Sequence, residues 1–92
     1  MAAIESHAFF DERARQVGLS EKEVVTLRAQ GWTTMGRLAF ATSSAPGTGD
    51  DSALRTQVVV PAFGDAPRPH VLAMVRRLHF EAYTYVAADL RH

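Results

Sequence analysis

The chain has 92 residues, of which 47% are apolar, with ten basic residues against ten acidic and no cysteine. That length allows one domain, and the apolar share excludes general disorder. The missing cysteine excludes disulfides, thiol nucleophiles and Cys-type zinc sites, and zero net charge counts against a domain built mainly to grip phosphates.

The N-terminal stretch MAAIESHAFFDERAR carries acids early and has no long apolar run, so it is neither a signal peptide nor a membrane span. A soluble, intracellular protein, cytoplasmic or nuclear, is the expectation. Ser6 to Val17 reads as a first helix, with Ile4, Phe9, Phe10, Ala14 and Val17 at three- and four-residue spacing. Gly18 can take the left-handed conformation that ends a helix, and Leu19 is placed to fold back on the last turn.

Ser20-Glu21-Lys22-Glu23 fits the capping box, with Leu19 and Val24 flanking it as a hydrophobic staple. Helix two is therefore expected from Glu21 through Leu27 to Gln30, ending at Gly31. Trp32 follows where its ring can pack back on Leu27, and it is expected to be largely buried. Thr33 or Thr34 can cap a third helix carrying Met35, Leu38, Ala39 and Phe40, with Gly36 marking a close crossing.

Residues 42–49, TSSAPGTG, read as a loop, and Asp50-Asp51 as the acidic first turn of a helix from about Ser52 to Val60. QVVVPAF carries three valines that favour a strand, but Pro61 and the lack of a second strand candidate favour a helix ending near Pro61. GDAPRP is a turn, and Pro67 or Pro69 suits the first position of the last helix, from about Arg68 to Leu90. Val71, Met74, Val75, Leu78, Ala82, Tyr85 and Val86 mark its apolar face, widened by Leu72, His79, Tyr83 and Leu90. Arg77 and Glu81 stand at i,i+4. The fold class expected is all-α, a compact bundle of about five helices with the long C-terminal helix packed on the N-terminal helical hairpin.

No residue set announces catalysis. His7, His70, His79 and His92 share no ligand spacing, and His79 reads as a structural histidine on the apolar flank. There is no nucleophile elbow, and APGTGD lacks the Gly-Lys-Ser/Thr ending of a phosphate loop. Asp50-Asp51 is better explained by the helix dipole than by a cation. The expectation is no enzyme, with no metal or cofactor.

Residues 27–41, LRAQGWTTMGRLAFA, resemble the degenerate relatives of the helix-hairpin-helix motif. The motif usually has two glycines one residue apart, whereas Gly31-Trp32-Thr33 has one. Arg28 and Arg37 flank the corner, and Arg76 and Arg77 form a second basic pair whose side chains diverge by about 100°. The order Gly18–Ser20, then Leu38–Ala41, then Phe80–Thr84 resembles a highly multiplied family of dinoflagellate proteins, some linked to mobile elements. That resemblance carries no activity. It implies that residues 1–92 are a single helical domain excised from, or heading, a longer protein, which the unpunctuated end ADLRH also suggests.

The leading functional expectation is a non-catalytic protein-interaction, oligomerisation or adaptor module using the Trp32 corner or the exposed flank of the last helix. The alternative is nucleic-acid binding through the 27–41 hairpin, with Arg28, Trp32 and Arg37, and Arg76 or Arg77.

Overall fold

Serine, glutamate and glycine fix the first half of the fold through backbone hydrogen bonds. The structure, a computed structural model, describes residues 3–41, 52–65 and 67–90; the 42–49 loop and the Asp50-Asp51 helix start lie outside them. After a 3₁₀ turn at Ala3–Glu5, α1 runs His7–Gln16, and the Ser6 hydroxyl accepts the Phe9 N–H at its start. At its end, the Gly18 and Leu19 N–H groups donate to the Arg15 and Ala14 carbonyls, a Schellman motif with Gly18 at φ +113°.

The motif is repeated one helix later. In α2, Glu21–Ala29, both halves of the Ser20/Glu23 capping box are present. Its exit again sends two N–H groups backwards, Gly31 to Arg28 and Trp32 to Leu27, with Gly31 at φ +99°. A Cβ at Gly31 would meet nothing within 4 Å, so Gly31→Ala isolates backbone strain from packing. Urea unfolding is expected to show a loss of about 1 kcal/mol. At Gly18 a Cβ would also press on the Met74 side chain, 3.2 Å from its Cε, so the same change there costs more.

Short α3, Met35–Ala39, is capped by the Thr34 hydroxyl, which accepts the Arg37 N–H. Gly36 does mark a close approach, though to the 3₁₀ turn and not to a helix: its Cβ would lie 3.1 Å from the Ile4 carbonyl oxygen.

The segment at 52–63 corrects the sequence reading, because the helix does not stop near Pro61. Helix α4, Ser52–Leu54, continues as a π turn over Arg55–Val59 and then as α5, Val60–Phe63. Proline has no N–H and its ring crowds the carbonyl four residues back, here Gln57. The π turn widens the coil at that point, with the Val60 N–H donating to Arg55. The ordinary pattern resumes when Gly64 donates to Val60 at 2.8 Å. Burial of Leu54, Val58 and Val59 holds this irregular rod in place.

The last helix, α6, runs Val71–Leu90 and begins later than Pro67 and Pro69 suggest. Arg68 to His70 form a turn, with His70 at φ +71°, and the Val71 N–H donates to Arg68. Helix α6 packs chiefly on α3 and also meets the 3₁₀ turn, α1 and the π turn, so it is the spine of the bundle. Val71, Val75, Leu78, Ala82 and Val86 enter a core completed by Phe10, Ala14, Val24, Leu27, Met35 and Leu38. No strand occurs among the described residues, so the fold is all-α. The radius of gyration of 12.2 Å matches that of a compact chain of this size.

Ion pairs tie the helices together at their edges. Arg13 Nε reaches Glu81 Oε1 at 2.8 Å, joining α1 to α6, and Arg28 reaches Asp11 at 3.4 Å, joining α2 to α1. Arg68 grips both oxygens of Glu23 at 2.8 and 3.0 Å while also donating to the Gly18 carbonyl at 3.1 Å. That clasp fixes the turn before α6 on the α1–α2 corner.

Candidate interaction surface

The 27–41 corner is occupied by its own hydrogen bonds. The Gly31 and Trp32 N–H groups both donate within the Schellman motif, at 2.9 and 3.0 Å, and are not free to meet a phosphate. Trp32 is half-buried against the core, less enclosed than expected. Arg37 is exposed, and its Nη1 stands 3.5 Å from the Gly31 carbonyl oxygen. Arg28 is turned toward Asp11. The hairpin therefore brings Arg37 to Gly31 while drawing Arg28 away to α1.

The larger discrepancy lies with aromatic residues. Phe40, expected to pack with α3, is 72% exposed, and on α6 Phe80 is 55% and Tyr83 45% exposed. The geometry of α6 gives the reason. Phe80 lies about 200° around the helix from buried Leu78, on the face opposite the core. Tyr83 is one turn on from Phe80 along the same outer flank. Tyr85 leaves that flank and meets Phe9 edge-on, with ring centroids 5.1 Å apart.

The flank carries a pattern of its own. Ala73, Arg76, Phe80, Tyr83 and Ala87 follow one another at alternating three- and four-residue steps, the spacing of a narrow helix-pairing seam. All are exposed except half-buried Ala87. Arg77 stands beside the seam, 73% exposed and 3.7 Å from Glu81, whose other oxygen holds Arg13. Of the basic residues singled out from the sequence, Arg76 thus lies in the seam and Arg77 at its edge. Phe40 and Phe80 went unrecognised, although the second, offset apolar spacing in α6 was available to reveal Phe80.

Beneath the flank lies His79, 3% exposed at the α3–α6 contact, hydrogen-bonded with the Ala39 backbone and with its Nε2 unpartnered. Its neighbours in sequence link it to the surface: Phe40 follows Ala39, and Phe80 follows His79. Burial lowers its proton affinity, opposed only in part by the Ala39 bond. A depressed histidine contributes stability that is complete above its unfolded value, near 6.5, and is lost as the pH falls below it. Urea unfolding is expected to show this loss beginning near pH 6.5 in the native chain and not in His79→Leu.

Among the described residues no three histidine or acidic side chains are grouped to hold a metal, and no helix is long and apolar enough to cross a membrane. Comparison of the chain with protein-family models, curated proteins and solved structures gives no match.

Proposed function

We propose that the domain is a non-catalytic protein-interaction module that docks a helical partner on the outer flank of α6. The observation that carries this reading is the exposure of Phe80 and Tyr83 within a seam-like spacing; Val25, Phe40 and Tyr85, the other exposed large apolar side chains among the described residues, stand outside that spacing. Aromatic side chains supply much contact area at small entropic cost and are enriched at the centres of interfaces. The seam sits on a helix already ordered by its other face, so a partner meets a preorganised surface. As an oligomerisation or adaptor unit of a longer protein, such a domain needs no catalytic group.

Selection from a displayed library of amphipathic helical peptides tests the reading. Binders are expected, and they are expected to lose affinity at least tenfold for the Phe80→Ser, Tyr83→Ser double variant. Binders indifferent to that variant would place the docking face elsewhere. The alternative, nucleic-acid binding through Arg28, Trp32 and Arg37, predicts DNA or RNA affinity that falls steeply with salt and weakens in Arg37→Ala. The internal pairing of the Gly31 and Trp32 amides and the zero net charge support the protein-binding reading over it.

A further inference from the structure

With no cysteine in the chain, its oxidisable sulfurs are those of Met1, Met35 and Met74. Met35 is fully enclosed in the core, and Met1 lies outside the described residues. Met74 is half-buried in the first turn of α6, with its Sδ 3.7 Å from Arg68 Nη2, the group that grips Glu23. We propose that Met74 is a site of reversible oxidation, at which a peroxide forms the sulfoxide and thereby opens the Arg68–Glu23 clasp.

The surroundings of the sulfur give the reason. A Cβ at Gly18 would lie 3.2 Å from Met74 Cε and 3.3 Å from Sδ, so the thioether fills the room that glycine leaves at the end of α1. Arg68 Nη2 carries two N–H groups and already faces Glu23 Oε1 at 2.8 Å, the Gly18 carbonyl oxygen at 3.1 Å and Sδ. A thioether is a weak acceptor and competes little for those two protons. In the oxidation an S–O bond forms as the O–O bond of hydrogen peroxide breaks. The transferred oxygen gives its proton to the departing hydroxide, which leaves as water; sulfur loses two electrons and the peroxide gains them. The sulfoxide is polar, and its oxygen is a strong acceptor beside two others, the Gly18 carbonyl and the Glu23 carboxylate. Arg68 is drawn to it at their expense, and the turn before α6 loosens from the α1–α2 corner.

The full chain is treated with dilute hydrogen peroxide at neutral pH, and oxygen added at each methionine is followed by peptide mass spectrometry. Met74 is expected to oxidise several times faster than Met35. Urea unfolding then reads the clasp: oxidation is expected to lower the midpoint of the native chain and to lower that of Glu23→Gln much less, because the clasp is already weakened there. Methionine sulfoxide reductase is expected to restore the native midpoint. Met74→Leu keeps a side chain of similar volume without the sulfur, and its midpoint is expected not to respond to peroxide. Amide shifts are expected to move at Gly18–Glu23 and Arg68–Met74 and to stay fixed at Ala39 and His79. Equal losses in the native chain and Glu23→Gln would show that oxidation acts outside the clasp and would overturn the proposal. So would equal oxidation rates at Met74 and Met35, or a peroxide effect that persists in Met74→Leu.

Discussion

Leu78→Ala is expected to cost about 2–5 kcal/mol, the largest loss from any single truncation in α6. Leu78 is fully buried on the face that α6 turns toward the core, where α3 supplies Met35 and Leu38. Removing its isobutyl group subtracts the transfer free energy of the lost atoms and leaves a cavity that the helices on either side can close only in part. A domain of 92 residues has a total stability of about 5–14 kcal/mol, so this one change removes a large share of it. The urea midpoint is expected to fall by roughly 2 M. Phe80→Ser, two residues along the same helix, is expected to change stability by no more than about 0.5 kcal/mol, as surface substitutions do. Comparable losses for the two substitutions would mean that Phe80 belongs to the core and that the flank is not a free surface.

The second large effect is expected at Glu23. Its carboxylate receives the Arg68 guanidinium in a two-pronged hydrogen bond and the Ser20 N–H from the capping box, and these hold its pKa down to about 2. A depressed carboxylate contributes stability that is complete above its unfolded value, near 4.5, and is lost as the pH falls from there toward 2. The shift alone would correspond to about 3 kcal/mol, and screening at this surface-facing clasp reduces the contribution to about 1–2 kcal/mol. Glu23→Gln keeps a side chain able to complete the capping box but removes the charge. At neutral pH it is expected to lose that 1–2 kcal/mol, with the acid limb between pH 4.5 and 2 correspondingly flattened. The histidine limb, which begins near pH 6.5, is separate, so Glu23→Gln should flatten the acid limb and spare the histidine limb, and His79→Leu the reverse. An unchanged limb below pH 4.5 in Glu23→Gln would show that the clasp contributes nothing.

Much of the first half of the fold could be read from the sequence, because its stops and starts are written in local backbone chemistry. Gly18 and Gly31 each take a positive φ at a helix end, and Ser20 pairs with Glu23, each signal lying within a few residues of the backbone groups it satisfies. Such signals need no knowledge of the rest of the chain. The passage through Pro61 was not readable, since local sterics favour a stop and only the burial of Val58 and Val59 carries the helix through on a π turn. The start of α6 was misplaced for a related reason: Pro69 suits a first helical position, yet left-handed His70 intervenes.

The exposed flank was obscured by the limits of periodicity. In the sequence, Leu72, His79, Tyr83 and Leu90 widen the apolar face of α6 without saying which part of it the core will cover, and Phe80 stands outside that face. Phe40 posed the same difficulty, following Ala39 in a run that reads as one apolar helix, whereas the helix ends at Ala39 and turns Phe40 outward. The basic residues were located but not their engagements, because Arg28 finds Asp11 across 17 positions and Arg68 finds Glu23 across 45. Ion pairs between distant segments leave no mark on the spacing of either.

On the proposed function, other molecules touch the outer flank of α6 and the 27–41 corner has a structural task. Amide chemical-shift mapping of isotopically labelled protein during titration with a selected helical peptide tests that division most directly. Shift changes concentrated from Ala73 to Ala87 and at Phe40, with the Arg28–Arg37 amides unmoved, are the predicted result. Changes centred on Gly31, Trp32 and Arg37 with α6 silent would contradict it.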